Sequence, residues 1–153
     1  QNFRYRGSKF QDDGDIILGA IFALKRGDAD AIRGTMADYT ARRTTSQPLE
    51  LPSAGSIFKR PPGYFAGKLI SDCNLRGATI GGAQVSTKHA GFIVNIGGAT
   101  AEDINQLIRM VQETVWERYQ VAMETEVRFI GDWDELPDPA RFKSLEPSLE
   151  ASS

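Results

Sequence analysis

The stretch TAEDINQLIRMVQETVWERYQ, Thr100–Gln120, decides the architecture. Thr100 is placed to cap a helix, its hydroxyl taking up an otherwise unpaired backbone N–H of the first turn. Glu102 and Asp103 put negative charge at the positive end of the helix dipole. Ile104, Leu107, Ile108, Val111, Val115 and Tyr119 recur every three or four residues and form one apolar stripe. Such a helix is held mainly by packing that stripe against a second layer. The segment just downstream, TEVRFIG (Thr125–Gly131), alternates, with Val127 and Phe129 on one face and Glu126, Arg128 and Ile130 on the other. That is the period of a strand. Upstream, ATIGGAQVS (Ala78–Ser86) and GFIVNIG (Gly91–Gly97) are β-rich runs, and Gly81–Gly82 marks a bulge or a close backbone approach. Helices and strands mix irregularly, so the expected fold is α+β, a mixed sheet with packed helices.

Working toward the N-terminus, YFAGKLISDC (Tyr64–Cys73) spaces Phe65, Leu69 and Cys73 four apart and predicts a short helix after Pro61, Pro62 and Gly63. Gln47–Pro52 is punctuated by prolines and marks a boundary. Before it, DADAIRGTMADYTARR (Asp28–Arg43) predicts an amphipathic helix on Ile32, Met36 and Tyr39, weakened by Gly34. DIILGAIFALK (Asp15–Lys25) is an almost unbroken apolar run, the pattern of a strand buried on both faces. From Asp132 onward, prolines and acids without sustained period predict a mostly disordered acidic tail, 132–153. Gln1 is not an initiator methionine, and QNFRYRGSKFQ reads like the interior of a protein, so the expectation is a chain lacking its N-terminal part.

Composition narrows the function classes. A net charge of −2 argues against a nucleic-acid binder, which carries a clear basic excess. One cysteine, Cys73, and one histidine, His89, exclude an intramolecular disulfide and any Cys/His metal cluster. No run reaches the ~18 apolar residues of a membrane span, and no signal peptide opens the sequence. A reducing cytoplasm is the expected compartment.

The residues able to carry chemistry each have an ordinary reading too. Ser56, after a glycine on a turn, is by itself a local turn cap. Lys59 and Arg60 are by themselves solvated charges, yet a cationic pair on a proline-stiffened loop also suits a phosphate or carboxylate, Arg supplying bidentate geometry. His89 reads as a surface or partly packed residue before a strand. Glu126 reads as a partner for Arg128 on the same strand face. No phosphate-loop or dinucleotide fingerprint and no Ser–His–Asp set is present.

Taken together, YRGSKF (Tyr5–Phe10), QPLELPSAGSIFKRPPGYFAGKLI (Gln47–Ile70), IGGAQVSTKHAGFIVN (Ile80–Asn95) and EVRFIG (Glu126–Gly131), in this order and spacing, resemble the UDP-N-acetylenolpyruvoylglucosamine reductase (MurB) family, the flavoenzymes of peptidoglycan synthesis, in its type II form. The resemblance runs from about Phe3 to Gly131. It implies that 1–50 is the C-terminal remnant of the FAD-binding subdomain, a strand and a helix, and that 51–131 is the substrate-binding, catalytic C-terminal domain. It implies FAD as cofactor, most of its site lying in the absent N-terminal half, and NADPH as reductant. The substrate is UDP-N-acetylglucosamine enolpyruvate, the product UDP-N-acetylmuramate, and the setting the bacterial cytoplasm. It implies Ser56 as proton donor and Glu126 as second catalytic group, with Tyr5, Arg6, Arg60 and His89 contacting substrate and Lys59 offsetting its charge. Ser46 stands where some members have a substrate-binding lysine, for which Lys59 or Lys88 could compensate. The 153-residue chain alone is expected to be inactive. The competing reading is a non-catalytic module that binds nucleotide sugars or anions; the joint presence of Ser56 and Glu126 favours the catalytic one.

Overall fold

The capping expected at Thr100 is complete. In the computed structural model Thr100 Oγ1 accepts the Asp103 N–H at 3.0 Å and Asp103 Oδ2 accepts the Thr100 N–H at 2.9 Å, a reciprocal capping box. Residues 1–5 and 7–143 are described. Arg6 and residues 144–153 lie outside the described residues, and with them one expected substrate contact and the end of the expected tail. The chain divides into two units, 1–38 and 39–153.

In the second unit the helix begun by that box, α4 (Ala101–Tyr119), buries Leu107, Ile108, Val111 and Val115 completely, while Ile104 and Tyr119 pack at the rim. Each fully buried side chain of this size contributes roughly 1.5–3 kcal/mol. Its partner is a four-stranded sheet in the order β1 (Ser53–Ser56), β4 (Phe92–Asn95), β3 (Ala83–Val85), β2 (Thr79–Ile80), antiparallel at every pairing. Ala83 and Val85 are the sheet residues that α4 covers most deeply. The β2–β3 hairpin turns on Gly81–Gly82, and the expected close approach is real: a Cβ on Gly82 would stand 2.2 Å from the Gly97 carbonyl oxygen. A short helix, α3 (Ala66–Asp72), adds Leu69 and Ile70 to the same core. The architecture is α+β.

Three parts of the second unit differ from their sequence expectation. Glu126–Gly131 keeps the alternating burial but forms no running strand. Backbone pairing stops after the single bridge Phe58–Thr125, because the Glu126 and Val127 N–H groups converge on one acceptor, the Ile57 carbonyl, at 2.7 and 3.5 Å. Phe65 is not on the buried face of α3; it occupies the N-cap, 59% exposed. Residues 132–143 are not loose but pack against α4, with Phe142 buried on Trp116 at a ring separation of 5.5 Å.

In the first unit, α1 (Lys9–Asp13) precedes Ile16–Leu24, which has no regular structure. A strand buried on both faces was the expectation. Instead Leu18 and Ile21 are 95% and 103% exposed, and among the described residues of this unit no other segment supplies the ladder of N–H and C=O partners that a strand requires. The helix expected from Asp28 does form, as α2 (Ala29–Ser46), which begins in the first unit and ends in the second, with the Asp28 carboxylate accepting the Ala31 N–H at 2.8 Å. Its Ile32, Met36 and Tyr39 stripe is exposed.

Candidate active site

Ile57 organises the site. Its side chain is 1% exposed, so its backbone is fixed, and that backbone bonds in two directions. Its N–H donates to the Gly91 carbonyl at 2.9 Å, and its carbonyl accepts the Glu126 N–H at 2.7 Å. Residue 57 thereby ties together three segments that are far apart in sequence and carry Ser56, His89 and Glu126. A residue next to a buried anchor is positioned without being buried itself: Ser56 and Glu126 are both exposed. The Ser56 hydroxyl donates only a long bond, 3.4 Å, to the Phe58 carbonyl, and so remains available to a stronger acceptor.

His89 is partly buried and held by its neighbours. Its Nδ1 accepts the Gly91 N–H at 3.1 Å, so a neutral ring carries its proton on Nε2. The ring stands edge-on to Phe92 at 5.0 Å and lies against both Gly67 and Gly91. A Cβ built on Gly91 would stand 3.1 Å from His89 Nδ1 and 3.8 Å from Ser56 Oγ, so the glycine keeps open the space that these two groups share. Ser86, 3% exposed, fixes the turn beneath, its Oγ accepting the N–H groups of Lys88 and His89 at 3.2 Å each. Sequence reasoning passed over Ser86 and Gly91. Their signal is a serine three residues before the only histidine, the spacing of a side-chain-closed turn.

The two cations of the FKRPP segment differ in what they have left to offer. The Lys59 ammonium is paired with the Glu124 carboxylate, and the Lys59 N–H donates to the Glu124 carbonyl at 2.8 Å. Arg60 uses its Nε for the Tyr64 carbonyl at 3.1 Å and lays its guanidinium over the Phe65 ring at 3.9 Å. That use of Phe65 accounts for its place outside the core. The terminal nitrogens of Arg60 make no bond among the described residues and keep the fork that suits a phosphate or carboxylate. Both cations line a cleft of about 550 Å³.

Lys88 reaches the end of α2, donating to the carbonyl of Thr44, two residues before Ser46, at 2.8 Å and to Glu50 Oε2 at 3.4 Å. It thus places a cation at the helix end where Ser46 provides none. The backbone N–H of Glu50 and then Lys88 hold the Glu50 carboxyl below its ordinary range. Tyr5 belongs to the other unit, 79% exposed in the Arg4–Gly7 turn. Among the described residues no cluster of His, Cys, Asp and Glu could hold a metal, and no helix is long and apolar enough to cross a membrane.

Comparison with known proteins agrees with the resemblance carried by these segments. Residues 47–130 match the family model described as the C-terminal domain of UDP-N-acetylenolpyruvoylglucosamine reductase. Curated proteins named UDP-N-acetylenolpyruvoylglucosamine reductase include one from Limosilactobacillus fermentum, 62% identical over 85% of this chain and 43% of its own length. One from Listeria innocua is 57% identical over 84% of this chain and 43% of its own length. The crystal structure of the UDP-N-acetylenolpyruvylglucosamine reductase (MurB) from Thermus caldophilus superposes with a TM-score of 0.55 at 37% identity, covering 69% of this chain and 37% of that one. The chain therefore spans less than half the length of the curated relatives it matches. With more than half of its residues inside the matched region, the chain belongs to the family of UDP-N-acetylenolpyruvoylglucosamine reductase C-terminal domains.

Proposed function

We propose that residues 51–131 are the substrate-binding and catalytic domain of a UDP-N-acetylenolpyruvoylglucosamine reductase, and that 1–50 is the end of its flavin-binding half. The reaction is the NADPH- and FAD-dependent reduction of UDP-N-acetylglucosamine enolpyruvate to UDP-N-acetylmuramate in the bacterial cytoplasm. One observation carries the reading. The Ile57 backbone brings Ser56 and Glu126, the two residues that match the family's catalytic pair, onto one rigid support beside His89.

The described residues offer FAD no diphosphate cradle. Helix α2 begins under the Asp28 carboxylate with Asp30 in its first turn, charges that repel a phosphate. The main flavin site is accordingly proposed to lie outside the described residues. Bound elsewhere in the complete protein, the flavin supplies hydride to the enol ether. What these residues supply is charge, orientation and a proton.

The substrate is an anion with a diphosphate and a carboxylate. Arg60, with its fork unspent, is the group to bind one of them, and Lys59 is tied to Glu124. Reduction leaves negative charge next to the carboxylate, and that carbon must take a proton from a fixed direction. The Ser56 hydroxyl, fixed by the neighbouring buried anchor and only loosely bonded, is the donor. Glu126 is exposed in this chain. It acts as a hydrogen-bonding or charge-orienting group on the segment bonded to the Ile57 carbonyl, and His89 Nε2–H is a fixed donor to the substrate.

The test uses the flavin-loaded holoenzyme. Ser56→Ala and Glu126→Gln are expected to leave flavin reduction by NADPH unchanged and to slow flavin reoxidation by the enolpyruvyl substrate, resolved by rapid-mixing absorbance. A variant that slows reduction by NADPH instead loses its assigned role.

A further inference from the structure

We infer that the C-terminal segment 132–143 is a strap that walls the Lys59–Arg60 cleft and sets how tightly the diphosphate end of a nucleotide sugar is held. The inference rests on the reading of Arg60 given above. The segment lies beyond the matched family region, which ends at residue 130. It is nonetheless fastened along one line of α4. Asn105 Nδ2 donates to the Glu135 carbonyl at 2.8 Å, Arg109 pairs with Glu135 at 2.8 Å, Glu113 pairs with Arg141 at 2.9 Å, and Trp116 packs on Phe142. Positions 105, 109, 113 and 116 are separated by four, four and three residues, so they share one helix face.

The fastening serves a second surface. Pro139 and Ala140, the residues between the Glu135 and Phe142 anchors, line the same cleft as Lys59, Arg60 and Tyr64. The turn into α5 (Ala140–Lys143) is stiffened by the Asp138 carboxylate, which accepts the Ala140 N–H at 2.8 Å. Without this wall Arg60 would face a cleft open on one side, where water screens its charge. With Pro139 and Ala140 in the lining, the guanidinium meets an anion in a more enclosed cleft, the arrangement in which a few placed polar groups bind most strongly. Pro139 and Ala140 are thus positioning residues; they shape the cleft around Arg60 and take no part in proton transfer.

The experiment is calorimetric titration of the 153-residue chain with UDP-N-acetylglucosamine. Ala140→Trp keeps the anchors and fills the cleft, and it is expected to weaken binding about tenfold with Tm unchanged, the loss of one good contact. Phe142→Ala releases the strap and is expected to weaken binding similarly, while Phe142→Leu retains most of the affinity. Should Phe142→Ala fail to fold, Ala140→Trp decides alone. Arg60→Ala reports on the underlying reading. Binding that weakens with Arg60→Ala but is untouched by Ala140→Trp overturns the strap alone. Absence of binding by the unmodified chain overturns both the reading of the cleft and the strap's role in it.

Discussion

His89 Nδ1 accepts the N–H of Gly91 at 3.1 Å, and this one bond fixes both the ring's tautomer and its direction. Gly91 is buried, and its missing side chain is required twice. A Cβ there would stand 3.0 Å from His89 Cε1, closer than nine in ten real contacts of that kind, and 3.8 Å from the Ser56 hydroxyl. Gly91→Ala is therefore expected to push the imidazole off Gly91 and to destabilise the fold by about 1–2 kcal/mol through overpacking. Nitrogen NMR of the His89 ring should show the Nε2–H tautomer losing its preference. An unchanged tautomer with an unchanged Tm would mean that the loop yields freely, and that Gly91 does not hold the ring.

The cations near the cleft are expected to contribute unequally. Lys59 is paired with Glu124, and Lys88 with Glu50 and the end of α2, so each releases a partner before it can serve a ligand. Arg60 has no such partner among the described residues. In the holoenzyme Arg60→Ala should raise KM for the nucleotide-sugar substrate about tenfold or more with kcat little changed, the mark of binding shared by ground and transition states. Lys59→Ala and Lys88→Ala should each change KM less than threefold, within the range of exposed ion pairs. A fall in kcat for Arg60→Ala at constant KM would move that residue into the chemistry.

How much of this was legible follows from which interactions are local. The Thr100 cap, the α4 stripe and the Gly81–Gly82 approach depend on spacing within a few residues, and all three were read correctly. The Ile57 support was not. Its bonds reach residues 34, 69 and 70 positions away, and nothing in the pattern SIFKR distinguishes an anchor from any other buried isoleucine. Glu126–Gly131 shows the limit of periodicity, because alternation reports which side chains face the core and not whether the backbone finds a ladder. Ile16–Leu24 shows the same limit from the other side. An apolar run predicts a buried strand only where neighbouring strands exist, and among the described residues of 1–38 none does. The strap was misread because its apolar content is small. Phe142 and Trp133 are spread among prolines and acids, yet two aromatic contacts and two ion pairs suffice to dock it.

The capping box predicts a specific acid response. Asp103 is held below the ordinary carboxylate range, chiefly by the Thr100 N–H and also by the Gly82 N–H. A carboxyl with a depressed native pKa contributes stability that is fully present above its unfolded value, near pH 4, and lost as pH falls through the native value. Urea midpoints should therefore drop between about pH 4 and pH 2 in the unmodified chain, and Asp103→Asn should flatten part of that drop. Thr100→Ala should cost about 1 kcal/mol at neutral pH, where the cap is intact. An acid limb identical in Asp103→Asn would assign the response to the other low carboxyls, Glu50 and Glu102.

The two units are expected to separate in hydrogen exchange. Leu107, Val111 and Val115 combine helical hydrogen bonds with complete burial, so their amides should open only with the whole second unit and exchange slowest. Residues 16–24 have neither helix nor strand, and their side chains lie in water, so their amides should exchange within seconds. The same exposure bears on the cofactor. The entropy of fixing FAD is offset only by extensive contact. The surfaces this chain retains from the proposed flavin-binding half are an unstructured apolar run and a helix begun by acids. The purified 153-residue chain should accordingly be colourless, with no flavin band near 450 nm at about stoichiometric added FAD. Should it instead copurify with one flavin per chain and show residues 16–24 protected, the flavin surface would have to be sought within residues 1–50. The apolar run would then be a strand that orders around its cofactor.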